Sequence, residues 1–252
     1  MIILFLSHII GDYYFQTENL AVNKKYIISK LLLHSMIYFL SLLGIGLVFY
    51  ESKVILYLLI IALTHFLVDL ISSGFLGFQI ITSNKFLNHF FDQIIHFATL
   101  LSVFIIFNNA FVLRQWVITF MQSNDFQSYL FPIILFIASI LYLIKPVKLI
   151  VNDLLTVSLG ESKDKEDNKK SVYLGYLERV LVYISIILGT WLVLSVLIGF
   201  KTWAQTERLK NESGDFPKRY LIGTIASIIP AILLAGLYVW FMKTVGLSMI
   251  TI

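Results

Sequence analysis

Long apolar runs dominate this chain and limit what it can fold into. Of its 252 residues, 58% are hydrophobic and 13% are charged, whereas roughly 25% of residues are charged in a soluble domain. The runs are about twenty residues long and continuous rather than alternating, which favours membrane-spanning helices over barrel strands. We therefore predict an all-α, polytopic integral membrane helical bundle. It should contain about seven hydrophobic segments, at Ile2–Phe15, Leu31–Tyr50, Val54–Phe78, Phe86–Phe111, Tyr129–Ile144, Val172–Phe200 and Leu221–Met242.

Charges in the loops predict how the chain is placed in the cell. The first loop contains Lys24, Lys25 and Lys30 with only Glu18 nearby, and the positive-inside rule places such a loop in the cytoplasm. We expect a multi-pass protein of the inner (plasma) membrane without a cleavable signal peptide. The net charge of +4 fits such loops better than a nucleic-acid surface, so no nucleic-acid partner is expected. The chain has no cysteine, which excludes disulfides and thiolate metal sites.

Histidines and aspartates lie in helix-spaced pairs inside the apolar runs. Four residues make about one helical turn, so the two members of each pair share a helix face. The three pairs are His8 with Asp12, His65 with Asp69, and Asp92 with His96. A further histidine, His34, lies in the apolar run LLLHSMIYFL. Ionisable groups inside a bilayer are costly and mostly functional, so the sequence predicts a polar site within the membrane.

The distribution of these residues predicts the domain organisation. The segment LSHIIGD (Leu6–Asp12) resembles LTHFLVD (Leu63–Asp69), and a histidine follows one helix later in each case. This pattern indicates either an internal two-helix repeat or a chance similarity. All five histidines precede residue 97. We therefore predict a site-bearing four-helix membrane domain over residues 1–120, and C-terminal membrane helices with charged loops over residues 121–252.

The combination of imidazoles and carboxylates favours a metal site. These groups suit zinc above all, with manganese, iron and nickel as other candidates. A divalent metal is therefore the expected cofactor, bound as one ion or as two ions bridged by a carboxylate. The candidate ligands are His8, His34, His65, His96, Asp12, Asp69 and Asp92.

Three other interpretations of the same residues are open. A hydrogen-bonded network could join the helices without a metal; a single pair would favour this interpretation, but three pairs and His34 favour the metal. Histidines on facing helices could ligate haem, although the chain has no cysteine for a haem-attachment motif. The residues could also relay protons or cations across the membrane, for which broken helices at the site would be diagnostic.

Several residues beside the pairs have two possible roles. Gln16 and Gln93 could support the ligands or contact a substrate, or they could join helices by hydrogen bonds. His89 is expected at the membrane interface rather than among the ligands. Tyr38 is assigned a packing role, since aromatic residues make up 15% of the chain. Lys24 and the lysine after it would lie at the headgroup level, where they could hold a phosphate or simply set the topology.

The segment HIIGDYYFQ (His8–Gln16) resembles an uncharacterised bacterial family of polytopic membrane proteins, a domain of unknown function. In that family an N-terminal HxxGD…Q segment is combined with a leucine-rich histidine helix, an HxxxD motif and a DQxxH motif. This chain has the corresponding residues at His34, His65, Asp69 and Asp92-Gln93-His96. The resemblance implies a helical membrane fold and no established activity. A weaker similarity in spacing relates the chain to membrane-bound metal-dependent hydrolases with intramembrane His and Asp residues.

A membrane-embedded metal-dependent hydrolase is the first functional hypothesis. The metal would activate water, with Asp12, Asp69 or Asp92 as ligands or as the general base. The expected substrate is lipid-like, for example a phospholipid or an isoprenoid phosphate, and membrane lipid is the expected partner. A divalent-cation or proton-coupled transporter is the alternative, and a non-catalytic membrane scaffold is the second alternative. The sequence leaves the oligomeric state open.

Overall fold

The chain is helical throughout the part that the structure describes. The computed structural model describes residues 1–73, 75, 84–122, 130–160, 165–211 and 215–244. Within these residues every regular element is a helix, which confirms the predicted all-α class. The chain divides into two compact units, Met1–Ala138 and Ser139–Ile252. The predicted site-bearing domain, residues 1–120, falls within the first unit.

The first unit contains the helices that surround the polar residues. They are α1 (Ile2–Ile9), α2 (Glu18–Asn23), α3 (Ile28–Phe49), α4 (Ile55–Ser72), α5 (Lys85–Ile106) and α6 (Gln115–Gln122), followed by α7 (Leu130–Ile144), within which the two units divide. Helix α3 packs against α1 and α4, and α4 packs against α5. Side-chain caps define two of the helix starts: Thr17 accepts from Leu20 N–H at α2, and Asn84 accepts from Phe86 and Leu87 N–H at α5.

The first helix changes its hydrogen-bonding pattern where it contains Asp12. Helix α1 continues as a π-helical turn over Ile10–Tyr14, in which Phe15 N–H donates to Ile10 O at 3.0 Å. Such turns are rare and frequently occur at functional sites. Gly11 lies in this turn, and a Cβ there would come 3.0 Å from Tyr38 Cδ2 and 3.2 Å from Ser41 Cβ. The glycine therefore permits the turn to approach α3 closely.

An apolar cluster lies beside the polar residues and joins α1, α3, α4 and α5. Lipid tails are as apolar as the side chains of the cluster, so close packing rather than escape from water holds such helices together. The most deeply buried members of the cluster are Leu4, Tyr38, Leu42, Val54, Leu58, Ile61 and Leu100.

The second unit is a separate group of helices. They are α8 (Pro146–Leu159), α9 (Lys165–Ile187), α10 (Trp191–Ala204), α11 (Thr206–Asn211) and α12 (Asp215–Thr244). Helices α8 and α9 both pack against α12, and α10 packs against α9. Ala231 and Ala235 on α12 are completely buried, and such small residues let neighbouring helices approach closely.

Five helices of the described residues are long and apolar enough to cross a membrane, which indicates a membrane protein. They are Ile28–Phe49, Ser52–Ser72, Lys85–Ile106, Pro132–Leu159 and Phe216–Thr244, and two shorter apolar helices occupy Ile2–Tyr14 and Trp191–Ala204. The identity of the membrane stays a prediction.

Two of the predicted hydrophobic segments have different bounds in the structure. The segment Val172–Phe200 is interrupted, because α9 ends at Ile187 and Gly189 adopts a φ of 70°, a conformation that glycine adopts without strain. The segment predicted to end at Ile144 continues through α8, since Pro146 lies in the first helical turn, where its missing N–H is not needed. The predicted boundaries Phe78 and Tyr129 lie outside the described residues.

Candidate metal centre

Six buried histidines and aspartates from four helices meet inside the first unit. Each is at most 6% exposed, although burying such groups is costly unless they are paired or bind a metal. Helix α1 and its π turn provide two of them, α3 provides one, α4 provides two and α5 provides one. They are His8, Asp12, His34, His65, Asp69 and His96.

Four side-chain atoms lie at distances that suit one zinc ion. His34 Nε2 is 3.3 Å from Asp12 Oδ1, 3.2 Å from Asp69 Oδ2 and 3.3 Å from His65 Nε2. His65 Nε2 is 3.9 Å from Asp12 Oδ1 and 3.7 Å from Asp69 Oδ2. A regular tetrahedron with ligands about 2.0–2.1 Å from zinc has edges of about 3.3–3.4 Å. These four atoms, which we call the tetrahedral set, therefore fit a zinc ion after small shifts.

A second group of possible ligands overlaps the tetrahedral set. His65, Asp69 and His96 each offer a ligand atom within 4.8 Å of the others, as Asp12, His34 and His65 also do. The two carboxylate oxygens of Asp69 face different histidines, since Oδ2 is 3.2 Å from His34 Nε2 and Oδ1 is 3.7 Å from His96 Nε2. The arrangement can therefore bind one ion and is also compatible with the predicted bridging carboxylate.

Three imidazole nitrogens of the centre are buried without a hydrogen-bond partner among the described residues. They are Nδ1 of His34, Nδ1 of His65 and Nε2 of His96, and such buried unpaired groups are uncommon in folded proteins. His96 Nδ1 lies 2.8 Å from the carbonyl oxygen of Asp92. A carbonyl can only accept, so Nδ1 bears the hydrogen and the neutral ring presents its lone pair at Nε2, toward Asp69. This is the tautomer that a metal ligand or a proton acceptor needs.

Asp92 supports His96 rather than joining the tetrahedral set. Its Oδ2 lies 3.4 Å from His96 Nδ1, and its Oδ1 accepts from Ser72 Oγ at 2.7 Å. Gln93 Nε2 donates to Asp92 Oδ2 at 3.2 Å. A carboxylate behind a histidine in this way orients the ring and raises its basicity. The predicted role of Asp92 as a ligand or general base is not needed for this geometry and stays a prediction.

The two glutamines contact the aspartates of the centre. Gln93 Nε2 lies 3.4 Å from Asp12 Oδ2, and Gln16 Nε2 donates to the backbone carbonyl of Asp12. Their predicted contact with a substrate stays untested. His89 does not converge with the other histidines, and its Nε2 lies 3.4 Å from Tyr13 Oη.

Lys24 is a member of the centre that the sequence interpretation missed. It follows α2, yet its Nζ is 3.0 Å from His34 Nε2, 3.1 Å from Asp69 Oδ2 and 3.6 Å from Asp12 Oδ1. Burial lowers the pKa of Lys24, but the carboxylates of Asp69 and Asp12 more than reverse this effect and raise it above its ordinary value. The side chain is therefore an ammonium cation. Its place in a lysine-rich loop indicated only the headgroup level.

Tyr38 is the second missed residue. Its ring stacks on His65 with centroids 3.7 Å apart and planes at 13°, and its hydroxyl lies 3.0 Å from His8 Nδ1. Tyr38 therefore fixes the orientation of two histidines at once, in addition to the packing role predicted for it. The spacing of one helical turn from His34 was the only feature of the sequence that could have indicated this.

Comparison with known proteins adds a family but no activity. Residues 1–125 match the family described as Protein of unknown function (DUF3307). This match confirms the resemblance to a domain of unknown function, and it covers every residue of the centre. Neither the curated proteins nor the solved structures contain a significant match to the chain. Function therefore has to be inferred from the chemistry of the centre.

Proposed function

We propose that the first unit binds a divalent metal ion, zinc in the first place, through Asp12, His34, His65 and Asp69. The tetrahedral set supports this proposal, because its atoms come from α1, α3 and α4 and lie 3.2–3.9 Å apart in the five distances given above. Two imidazoles with two carboxylates suit zinc, and manganese, iron and nickel are the competing ions. The unpaired imidazole nitrogens are the further support, since a hydrogen-bonded structural network would leave none.

We further propose that the protein is a metal-dependent hydrolase. A bound divalent ion supplies the activation of water. His96 then accepts the proton of that water, because its Nε2 is unpaired and directed at the centre while Asp92 stabilises the ring from behind. Asp12 and Asp69 hold the ion, and Tyr38 keeps His65 in its orientation.

The proposed substrate is lipid-like and contains a phosphate. The centre lies among helices that are long and apolar enough to cross a bilayer, so a substrate dissolved in the membrane can reach it without leaving the lipid. The chain approaches the centre from the lysine-rich first loop through Lys24, whose side chain is 14% exposed. A cation at this entrance attracts an anionic headgroup, and inner-leaflet phospholipids and isoprenoid phosphates have such a group.

Metal content and lipid turnover test this proposal together. The full chain, purified in detergent, is expected to contain about one zinc ion per chain, and to release a water-soluble phosphate product from mixed micelles of phospholipid or isoprenoid phosphate. Treatment with a chelator should stop the release, and zinc should restore it. His96→Ala should abolish the release, whereas the matched control His89→Ala should not. Protein that contains metal but turns over no such lipid would contradict the hydrolase.

A transporter is the second candidate, and the π turn at Ile10–Tyr14 favours it. This turn interrupts α1 where Asp12 lies, and transporters bind ions at interrupted helices. Proteoliposomes loaded with a zinc-sensitive dye distinguish the two candidates. Zinc entry without lipid turnover would replace the hydrolase by the transporter, and the absence of both zinc entry and bound metal would leave a scaffold.

A further inference from the structure

Lys24 occupies a place that a bound metal ion would need. Its Nζ contacts three of the four atoms of the tetrahedral set, at 3.0 Å for His34 Nε2, 3.1 Å for Asp69 Oδ2 and 3.6 Å for Asp12 Oδ1. An ammonium group and a divalent ion repel each other strongly at such short range in a buried site. The three atoms therefore cannot serve both cations at the same time.

We propose that Lys24 is an exchangeable cation of the centre. Its ammonium group balances the carboxylates while the metal is absent, and it moves out toward the surface when the metal enters. This inference rests on the proposed metal site, and it adds that loading of the site is an exchange of one tethered cation for a free one.

The charges of the centre give the exchange its direction. Asp12 and Asp69 together have two negative charges in buried surroundings, with side chains 5% and 6% exposed. Lys24 provides one positive charge and a divalent ion provides two, so the ion balances the carboxylates more completely. The ion nevertheless has to break the three contacts of the ammonium group first, and Lys24 therefore lowers the affinity for the metal.

The local structure allows the ammonium group to leave without unfolding the loop. Lys24 N–H donates to Leu20 O at 2.9 Å, Leu20 is buried, and Leu20 N–H donates to Thr17 Oγ1 at 3.2 Å. The backbone of α2 is thus anchored independently of the Lys24 side chain. That side chain is 14% exposed, and its four-carbon stem can rotate outward while its backbone remains in place.

An ordinary structural ion pair would behave differently. If Lys24 only joined α2 to the bundle, its loss would destabilise the protein with and without metal, and it would leave the metal affinity unchanged or lower it. An exchangeable cation predicts the opposite sign for affinity and a destabilisation that metal removes.

The test compares two lysines that are neighbours in sequence. Zinc affinity is measured by competition with a chelating dye, for the full chain in detergent micelles. Lys24→Met is expected to bind zinc at least about tenfold more tightly than the unsubstituted chain, which corresponds to about 1.4 kcal/mol. Lys24→Arg keeps the charge and should not gain affinity. The exposed Lys25 is the matched control, and Lys25→Met should change the affinity less than about twofold.

A second measurement uses the unsubstituted chain and does not depend on how Lys24→Met folds. An amine-reactive reagent followed by peptide mass spectrometry should modify Lys24 faster after zinc is added, while Lys25 reacts at an unchanged rate. Tighter binding by Lys24→Met and zinc-dependent labelling of Lys24 support the exchange. Zinc binding by the unsubstituted chain with neither effect overturns the exchange but not the metal site. Absence of zinc from the chain and from Lys24→Met overturns both.

Discussion

Buried polar groups occur in both units, but they are satisfied to different degrees. In the second unit, Arg179 Nε donates to Leu143 O at 2.7 Å and Arg179 Nη1 donates to Ser227 Oγ at 3.0 Å. The guanidinium carbon also lies 5.3 Å from the centre of the Tyr176 ring. In the first unit, Lys24, His34 and the aspartates contact one another, yet three imidazole nitrogens have no partner among the described residues.

The difference separates a polar group that joins helices from one that can bind a ligand. Arg179 connects α9 to α7 and α12 with donors that reach neutral acceptors, and nothing in this contact requires a further molecule. The adjacent Glu178 pairs with Lys201 at 2.6 Å and has one unpaired oxygen, Oε1. The centre of the first unit instead combines unpaired nitrogens with carboxylates at ligand spacing, which is the arrangement that a metal completes.

The strongest way to break this comparison is to remove a ligand from the tetrahedral set. His34→Ala is expected to weaken zinc binding by at least about 100-fold, because even the loss of a residue that only supports a ligand costs about 10–100-fold. Competition with a chelating dye measures the effect on the full chain in detergent. Arg179→Met provides the matched buried cavity in the other unit and should keep its zinc. Equal zinc binding by both variants would remove the distinction between the units.

The next effect concerns the support of His96. Asp92→Asn removes the charge behind the ring, and we expect a loss of about 10–100-fold in lipid turnover or zinc affinity. Which of the two falls is informative, since a loss of turnover alone assigns His96 to proton transfer and a loss of affinity assigns it to the metal. Glu18→Gln, an exposed acid on α2, serves as the control and should leave both quantities unchanged.

Arg179→Met should show its effect on stability instead. The variant leaves Leu143 O and Ser227 Oγ buried without their donor, which costs about 1–3 kcal/mol. A lower thermal unfolding temperature in detergent, of equal size with zinc and with a chelator, is the expected result. A destabilisation that zinc reverses would indicate that the second unit also takes part in metal binding.

Much of the first unit could be anticipated from sequence because its signals are local. Apolar length indicates a spanning helix regardless of partners, and a spacing of four places His65 and Asp69 on one face of α4. The interruption of the predicted Val172–Phe200 helix depended on Gly189 adopting a positive φ, which glycine permits but does not require. The same residue inside a continuous helix would have looked identical.

The composition of the centre was harder to predict, because it depends on directions and on distant segments. Side chains on a helix tilt toward its N-terminus. His96, four residues after Asp92, therefore reaches back so that its Nδ1 meets Asp92. In the reverse order on α4, Asp69 lies after His65 and places its Oδ2 among the imidazoles. Lys24 enters the centre only because the chain after Asp12 turns back over it, and no local pattern encodes that turn.

The smallest expected effect tests how far the centre extends toward His8. Tyr38→Phe keeps the ring that stacks on His65 and removes the hydroxyl beside His8 Nδ1, so the protein should lose about 0.5–1.5 kcal/mol of stability. Its zinc affinity should change by less than that of Asp92→Asn, because none of the four atoms of the tetrahedral set loses a partner. Tyr26→Phe, at a tyrosine that is 75% exposed, controls for loss of a hydroxyl elsewhere. If Tyr38→Phe instead loses as much zinc as His34→Ala, the metal must depend on the orientation of His8. The centre would then contain a ligand outside the tetrahedral set, and its contrast with the fully partnered Arg179 would be larger than the distances alone indicate.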